Sequence, residues 1–152
     1  MRFFKFHHDL IPKYRKKTSY TFAKSTINSM FNLNNLLSAS DFMKLAFETM
    51  RPGKKYCATS AVSKRRFRYW FGTDDYIVSL IWDMLYMSGW MYLNLNKPNP
   101  IHLFWALNFL KNYETESVCA SKFGGVDEKT LRKWVWIYIK GISSLASQVV
   151  SF

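Results

Sequence analysis

Cysteine and histidine are scarce in this sequence, and their spacing excludes the common zinc sites. The two cysteines are Cys57 and Cys119, and the three histidines are His7, His8 and His102. No CxxC pair occurs, and no combination of these residues has a zinc-ligand spacing. Two isolated thiols are typical of a reducing compartment, in which cysteine packs as a small apolar side chain. We expect Cys119 to lie in a helical core.

The sequence also lacks the motifs of common enzymes. It has no Walker phosphate loop, no GxSxG nucleophile elbow and no HExxH zinc motif. Asp74 and Asp75 are explained as acids at the start of a helix, and Asp83 follows about two turns later. We therefore predict no catalytic residues, no metal and no cofactor.

Long apolar runs are scarce as well. The nearest candidate for a membrane span is the stretch 76–93, but Asp83 at its middle costs about 2.5–3.5 kcal/mol on insertion. No apolar run of secretory length follows the charged start at Arg2 and Lys5, so no signal peptide is predicted. Apolar residues nevertheless make up 49% of the chain and aromatic residues 18%. This composition predicts a packed core in one modest domain with an appendage.

Acidic residues are few in the first half, and the positive charge is concentrated there. Residues 1–72 hold 15 Lys and Arg against 3 Asp and Glu, whereas residues 73–152 hold 7 of each. The whole net charge of +12 therefore comes from the first half. Such an excess indicates a polyanionic partner, either nucleic acid or an anionic membrane surface. The predicted phosphate-binding residues are Lys13, Arg15, Lys16, Lys17, Lys64, Arg65, Arg66 and Arg68.

We predict an all-α protein with two parts. Residues 1–63 form a basic, partly disordered N-terminal arm with one short helix, and residues 64–152 form a small helical bundle. Ser38 and Asp41 predict the start of the short helix, which runs to about Thr49 with Phe42, Leu45 and Ala46 facing inward. The sequence from 54 to 64 reads as a polar connector.

The helical bundle is predicted from its caps and apolar spacing. Thr73 caps a helix over 74–87, whose apolar stripe is Ile77, Leu80, Ile81, Met84 and Leu85. A connector over 89–99 follows. Asn99 and Pro100 then open a helix over 100–113, which is apolar on nearly all sides and should be the buried centre.

The most informative stretch runs from 113 to 136 and predicts a helix-turn-helix. Thr115 caps a short helix over 116–123, Gly124 and Gly125 form the turn, and Asp127 caps the next helix. In this arrangement the second helix enters a DNA groove.

The last helix, over 128–147, has two distinct faces. Its core stripe is Leu131, Val135, Tyr138, Ile142, Leu145 and Val149, and its cationic face is Lys129, Arg132, Lys133, Trp136 and Lys140. A solvated charged face is the simple explanation of the second set. The preceding glycine turn favours DNA contact instead. We predict that Lys129, Thr130, Arg132, Lys133 and Lys140 bind DNA, with base contacts from the first turns.

Three stretches in the second half carry a further signal: FGT at 71–73, FLKNYETES at 109–117 and GGVDEKTLRKWVW at 124–136. Together they resemble the N-terminal region of PIF/Harbinger-type transposases, eukaryotic proteins of the DDE superfamily in which a helix-turn-helix precedes a nuclease domain. The resemblance covers residues 66–152 and implies DNA binding in the nucleus. It implies no strand cleavage, because the family's catalytic acids lie in a later domain and this sequence stops at Phe152.

The sequence leaves three other functions open. Many aromatic residues beside cations would suit RNA binding by base stacking. The helical fold could instead bind a Myb-like, transposon-encoded protein, a partner that the Harbinger resemblance implies. The basic, aromatic arm could also hold the protein at a membrane surface.

Overall fold

The computed structural model describes residues 37–149, with side chains described to Ser147. The predicted arm cations Lys13, Arg15, Lys16 and Lys17 lie outside this range. Within it the protein is all-α, as predicted. The helices are α1 (Ala39–Met50), α2 (Ala61–Phe71), α3 (Asp75–Met87), α4 (Trp90–Asn94), α5 (Pro100–Asn112), α6 (Glu116–Lys122) and α7 (Glu128–Val149). None of them is long and apolar enough to cross a membrane.

Helix α5 is the centre of the core, which confirms the prediction. Asn99 accepts a hydrogen bond from the backbone N–H of Ile101 at 2.9 Å, and Pro100 occupies the first turn. Every side chain from Pro100 to Asn108 is buried, because the helix packs against α1, α2, α6 and α7. A helix that is apolar all round can only be satisfied by such complete enclosure.

Helix α7 makes the most extensive contact with α5. Leu131, Val135, Tyr138 and Leu145 are buried, as predicted, and Ile142 is partly buried against the core. The Tyr138 hydroxyl donates to the carbonyl of Asn99 at 3.1 Å. Burial raises the pKa of this hydroxyl above its usual value. The side chain of Val149 lies outside the described residues.

Helix α1 begins and packs as predicted. The Ser38 hydroxyl accepts from the Asp41 N–H at 3.2 Å, and the Asp41 carboxylate accepts from the Ser38 N–H at 2.9 Å. This reciprocal pair is a capping box. Phe42, Leu45 and Ala46 are buried. The Phe42 ring lies 5.9 Å from the rings of Trp82 and Phe104, so α1 shares one core with α3 and α5.

The connector predicted over 54–64 is wrong at its end, because α2 starts at Ala61. Ser60 caps this helix by accepting from the Ser63 N–H at 3.1 Å. Phe67 and Phe71 anchor it in the core, and their rings lie 4.9 Å apart. This helix was missed in the sequence because its two buried aromatic residues lie among exposed cations. The hydrophobic periodicity of the segment is therefore weak.

The predicted start of α3 is also wrong. Thr73 does not cap the helix; Asp74 holds the N-cap position and makes no side-chain hydrogen bond to the backbone there. Its carboxylate accepts instead from the Arg68 guanidinium of α2. Because the Asp74 carboxylate is bound to Arg68, it does not accept a hydrogen bond from the backbone at the start of α3.

The predicted apolar stripe of α3 is rotated away from the observed one. The buried residues are Val78, Ser79, Trp82 and Leu85, so of the predicted set Leu85 alone is fully buried. Ile77 and Leu80 are exposed, and Ile81 and Met84 are partly buried. Because nearly every position of this helix is apolar, periodicity does not select a face. The bulky Trp82 ring, which meets Phe42, marks the side that packs.

The connector predicted over 89–99 contains the short helix α4. Trp90 of this helix covers α7, where its ring lies 5.8 Å from that of Tyr138. A Cβ placed on Gly141 would lie 2.8 Å from the Trp90 ring. The glycine therefore permits the close approach of α4 to α7.

This contact predicts a change of sign in a double-mutant cycle. Gly141→Ala should destabilise the protein by about 1–3 kcal/mol through overpacking. In a Trp90→Ala background the same change should stabilise it by up to about 1 kcal/mol, because alanine favours helix over glycine. Urea unfolding of the four variants measures both effects. Equal effects in the two backgrounds would contradict the contact.

Candidate nucleic-acid interface

The turn between α6 and α7 forms as predicted. The Thr115 side chain accepts from the Val118 N–H at 3.4 Å and opens α6. Gly124 and Gly125 have φ values of 84° and 74°, the left-handed region that glycine adopts without strain. The Gly125 N–H donates to the Ala120 carbonyl at 3.0 Å, which closes the end of α6. The chain can therefore reverse here within a few residues.

Asp127 caps α7, as predicted. Its carboxylate accepts from the backbone N–H of Thr130 at 3.0 Å and from the Thr130 hydroxyl at 3.1 Å. The Thr130 side chain is therefore partly buried and engaged in the cap. Thr130 was predicted to contact a DNA base. Its hydroxyl would have to break the hydrogen bond to Asp127 before it could do so.

An ion pair joins α6 to α7 across the turn. The Arg132 guanidinium donates from two nitrogens to both carboxylate oxygens of Glu116, a bidentate geometry that fixes both side chains. The pair lowers the pKa of Glu116 below its usual range. Arg132 thus has a structural partner within the motif. Glu116 lies in the first turn of α6, and its partner 16 residues later could not be predicted from the sequence.

Beneath this turn, α6 is fastened to the core by Cys119 and Phe123. Cys119 is buried, as predicted, and its thiol lies 3.7 Å from the Asn108 side-chain oxygen. Burial raises the pKa of this thiol to about 11, so it stays protonated near neutral pH. The buried Asn108 also donates to the Trp70 carbonyl at 2.7 Å. Asn108 therefore links α2, α5 and α6, a role that the sequence does not reveal.

The outer face of α7 is cationic and exposed. Lys129, Arg132, Lys133 and Lys140 are all exposed, and Trp136 has 50% of its surface exposed. The Trp136 ring rests 6.3 Å from Phe109, and the Lys133 amine lies 5.3 Å from the centre of the Trp134 ring. The structure therefore places four of the five predicted α7 residues, all but Thr130, on one exposed surface that also includes Trp136.

The predicted phosphate-binding residues of α2 form a second basic surface. Lys64, Arg65, Arg66 and Arg68 are all exposed, whereas Phe67 between them is buried. Arg68 pairs with Asp74, and this hydrogen bond lowers the pKa of the Asp74 carboxyl. These residues and the α7 cations stand on separate helices, each of which packs against α5.

Lys111 was not singled out from the sequence, yet it closes the end of α2. Its ammonium donates to the Arg68 carbonyl at 3.2 Å and to the Tyr69 carbonyl. It also lies 4.8 Å from the centre of the Tyr69 ring. A cation is favoured at this position because the last carbonyls of a helix lack partners and carry partial negative charge. No local sequence signal joins residues this far apart.

The acids of α3 do not gather into a metal site. Across residues 37–147 no group of three or more His, Cys, Asp and Glu could hold a metal ion. Asp74 is bound to Arg68. One carboxylate oxygen of Asp83 is buried without a hydrogen-bond partner among the described residues, and desolvation raises the pKa of this group.

Comparisons with protein-family models, curated proteins and solved structures found no match for this chain.

The Glu116–Arg132 pair predicts a pH-dependent contribution to stability. Because the folded pKa of Glu116 is lowered, its contribution is present above the ordinary carboxyl pKa of 4.5 and is lost as the pH falls through the lower folded value. Urea unfolding should therefore show Glu116→Gln less stable than the parent at pH 7. The difference should shrink near pH 3. Glu128→Gln, an exposed acid on α7, is the matched control, and an equal loss in both variants would contradict the assignment.

Proposed function

We propose that this protein binds duplex DNA through the outer face of α7. The supporting observation is the exposed set of Lys129, Lys133, Trp136 and Lys140 on a helix that follows a tight Gly-Gly turn. Helices α5, α6 and α7 follow one another around a tight turn, and a last helix after such a turn is the one that reads DNA in helix-turn-helix proteins. Its core stripe is committed to α5, so the outer face is the part that a ligand can reach.

Affinity and sequence preference would come from different residues. Lysine and arginine contacts to phosphate supply salt-dependent affinity without sequence information. Base contacts would come from the first turns of α7, where Lys129 and Lys133 are exposed. The Arg132 guanidinium would first have to exchange Glu116 for DNA. In this proposal Lys129 and Lys133 lead, and Lys140, further along the helix, contacts the backbone.

The proposal includes the biological setting that the Harbinger resemblance implies. The protein would act in the nucleus as a transposase-like DNA-binding module, alone or with a Myb-like partner, and would perform no strand cleavage itself. The basic arm residues Lys13, Arg15, Lys16 and Lys17 would add phosphate contacts. RNA binding and binding of the Myb-like protein alone remain the competing outcomes of the experiments.

The first experiment compares two variants with the same reduction in charge. Lys129→Ala with Lys133→Ala should raise the Kd for duplex DNA roughly tenfold or more, since each good base contact discriminates by about 1–3 kcal/mol. Lys44→Ala with Lys54→Ala removes two exposed lysines from elsewhere and should have a much smaller effect. Fluorescence anisotropy over several duplexes measures both.

The pattern of weakened binding identifies the kind of DNA contact. Weakening confined to one preferred sequence indicates base readout, whereas uniform weakening with a shallower salt dependence indicates phosphate contact. If both double variants raised the Kd for DNA equally, binding would be explained by general charge attraction. That result would reject α7 as the recognition helix. Stronger binding of single-stranded RNA in competition would favour the RNA function. Complete absence of nucleic-acid binding would favour the protein-interaction module.

The second experiment tests the arm in the full chain. Changing Lys13, Arg15, Lys16 and Lys17 to Gln should lower the slope of log Kobs against log salt by up to about 0.9 for each phosphate that the arm no longer neutralises. The order of preference among duplexes should stay the same, because phosphate contacts carry no sequence information. An unchanged slope would show that these four residues do not contact DNA.

A further inference from the structure

Helix α3 has an outer face on which Tyr76, Leu80 and Met87 are exposed. Tyr76, Leu80, Asp83 and Met87 follow one another at the spacing of a single helix face, with Ile77 and Met84 beside them. Tyr76 is 60% exposed and Met87 is 76% exposed. The buried residues Val78, Trp82 and Leu85 lie on the opposite side. A contiguous apolar surface of this kind usually marks an interaction site.

Asp83 gives this face a charge preference. It is the one ionisable acid within the surface, and the α3 sequence contains no Lys or Arg. One of its carboxylate oxygens is buried without a hydrogen-bond partner among the described residues. A half-buried carboxylate beside apolar side chains favours an occupant that brings both a cation and apolar or aromatic groups.

The chain itself contains such a segment. Residues 1–36 hold seven Lys and Arg, one acid and seven Phe and Tyr. A second copy fits less well, because a two-fold contact between identical α3 faces would bring carboxylates together without a cation from that helix.

The point at which the described chain begins also favours this segment. Phe47 of α1 meets Trp70 at the end of α2, five residues before α3 begins at Asp75, whereas Phe42 meets Trp82 in the second half of α3. Helix α1 therefore runs antiparallel to α3, and Leu37 lies toward the end of α3 that carries Asp83 and Met87. A face of 13 residues is roughly 20 Å long at about 1.5 Å per residue. At about 3.3 Å per residue, an extended chain of 36 residues is several times longer than this face, so the segment can span it.

We propose that part of residues 1–36 docks on the outer face of α3, with an aromatic or aliphatic side chain against Leu80 and Met87 and a cation at Asp83. Tethering at Leu37 makes the contact intramolecular, with an effective concentration on the order of millimolar. This contact is separate from the DNA surface of α7. It is tested without nucleic acid, so its failure leaves the DNA proposal standing.

Carbodiimide coupling in the full chain tests the contact directly. The reagent joins a carboxylate to a nearby amine as an amide, with loss of water. Peptide mapping should recover Asp83 joined to one of Lys5, Lys13, Lys16, Lys17 or Lys24. In an equal mixture of ¹⁵N-labelled and unlabelled chains, the joined peptides should carry one label throughout. Joined peptides of mixed label would show that a second copy occupies the face and would overturn the intramolecular contact.

Methionine oxidation gives an independent readout. In the full chain, peroxide should oxidise Met87 at least about fivefold more slowly than in the urea-unfolded protein, although the described fold leaves it exposed. Asp83→Lys should repel the basic segment and raise this rate at least roughly twofold. Glu128→Lys makes the same charge change on α7 and should leave it unchanged. No Asp83 cross-link together with rapid Met87 oxidation in the parent protein would overturn the proposal.

Discussion

The packing of α7 against α5 is the constraint on which the rest of the structure depends. Helix α5 is apolar on all sides and must be enclosed, and α7 supplies the longest of the surfaces that enclose it. Each large side chain buried along this contact contributes about 1.5–3 kcal/mol. Tyr138 adds a directional element, because its hydroxyl donates to the Asn99 carbonyl where α5 begins. Once this stripe is buried, the rotation of α7 is fixed and its lysines must face water.

The same constraint explains why the cations of α7 are not equivalent. Helix α6 is held over the start of α7 by core contacts and by the Glu116–Arg132 pair. The motif therefore uses Arg132 and Thr130 to hold its own shape, and Lys129 and Lys133 are exposed cations of its first two turns. A DNA phosphate could still compete with Glu116 for Arg132, since more than half of the Arg132 side chain is exposed to solvent. Such an exchange would couple DNA contact to a loosening of α6.

The parts of the fold that the sequence predicted correctly depend on local chemistry. Ser38, Asn99, Thr115 and Asp127 cap their helices as their residue types suggest, and Gly124 adopts the positive φ of the turn. These signals act over a few residues, so they can be read without the tertiary structure. The errors arise where distant residues decide the outcome. Asp74, and not Thr73, holds the N-cap position of α3, and its carboxylate binds Arg68 of α2 instead of the backbone. The missed helix α4 packs on α7, where Trp90 contacts Gly141 and Tyr138. In the candidate site, the exposure of the cationic face follows from the periodicity of α7 and was predictable. The partners of Arg132 and Lys111 lie on other helices, and no local sequence pattern predicts these contacts.

Helix α3 shows most clearly what hydrophobic periodicity leaves undecided. A helix that is apolar on two sides can pack either side, and the choice falls to the side on which Trp82 meets Phe42 of α1. The other side then stays outward with Asp83 in it, and the position of that acid distinguishes between possible ligands. An anionic lipid surface would place like charges together at Asp83, with little water to screen them. A cationic segment with aromatic side chains meets both the charge and the apolar surface, so the carboxylate acts as a filter on what this face can bind.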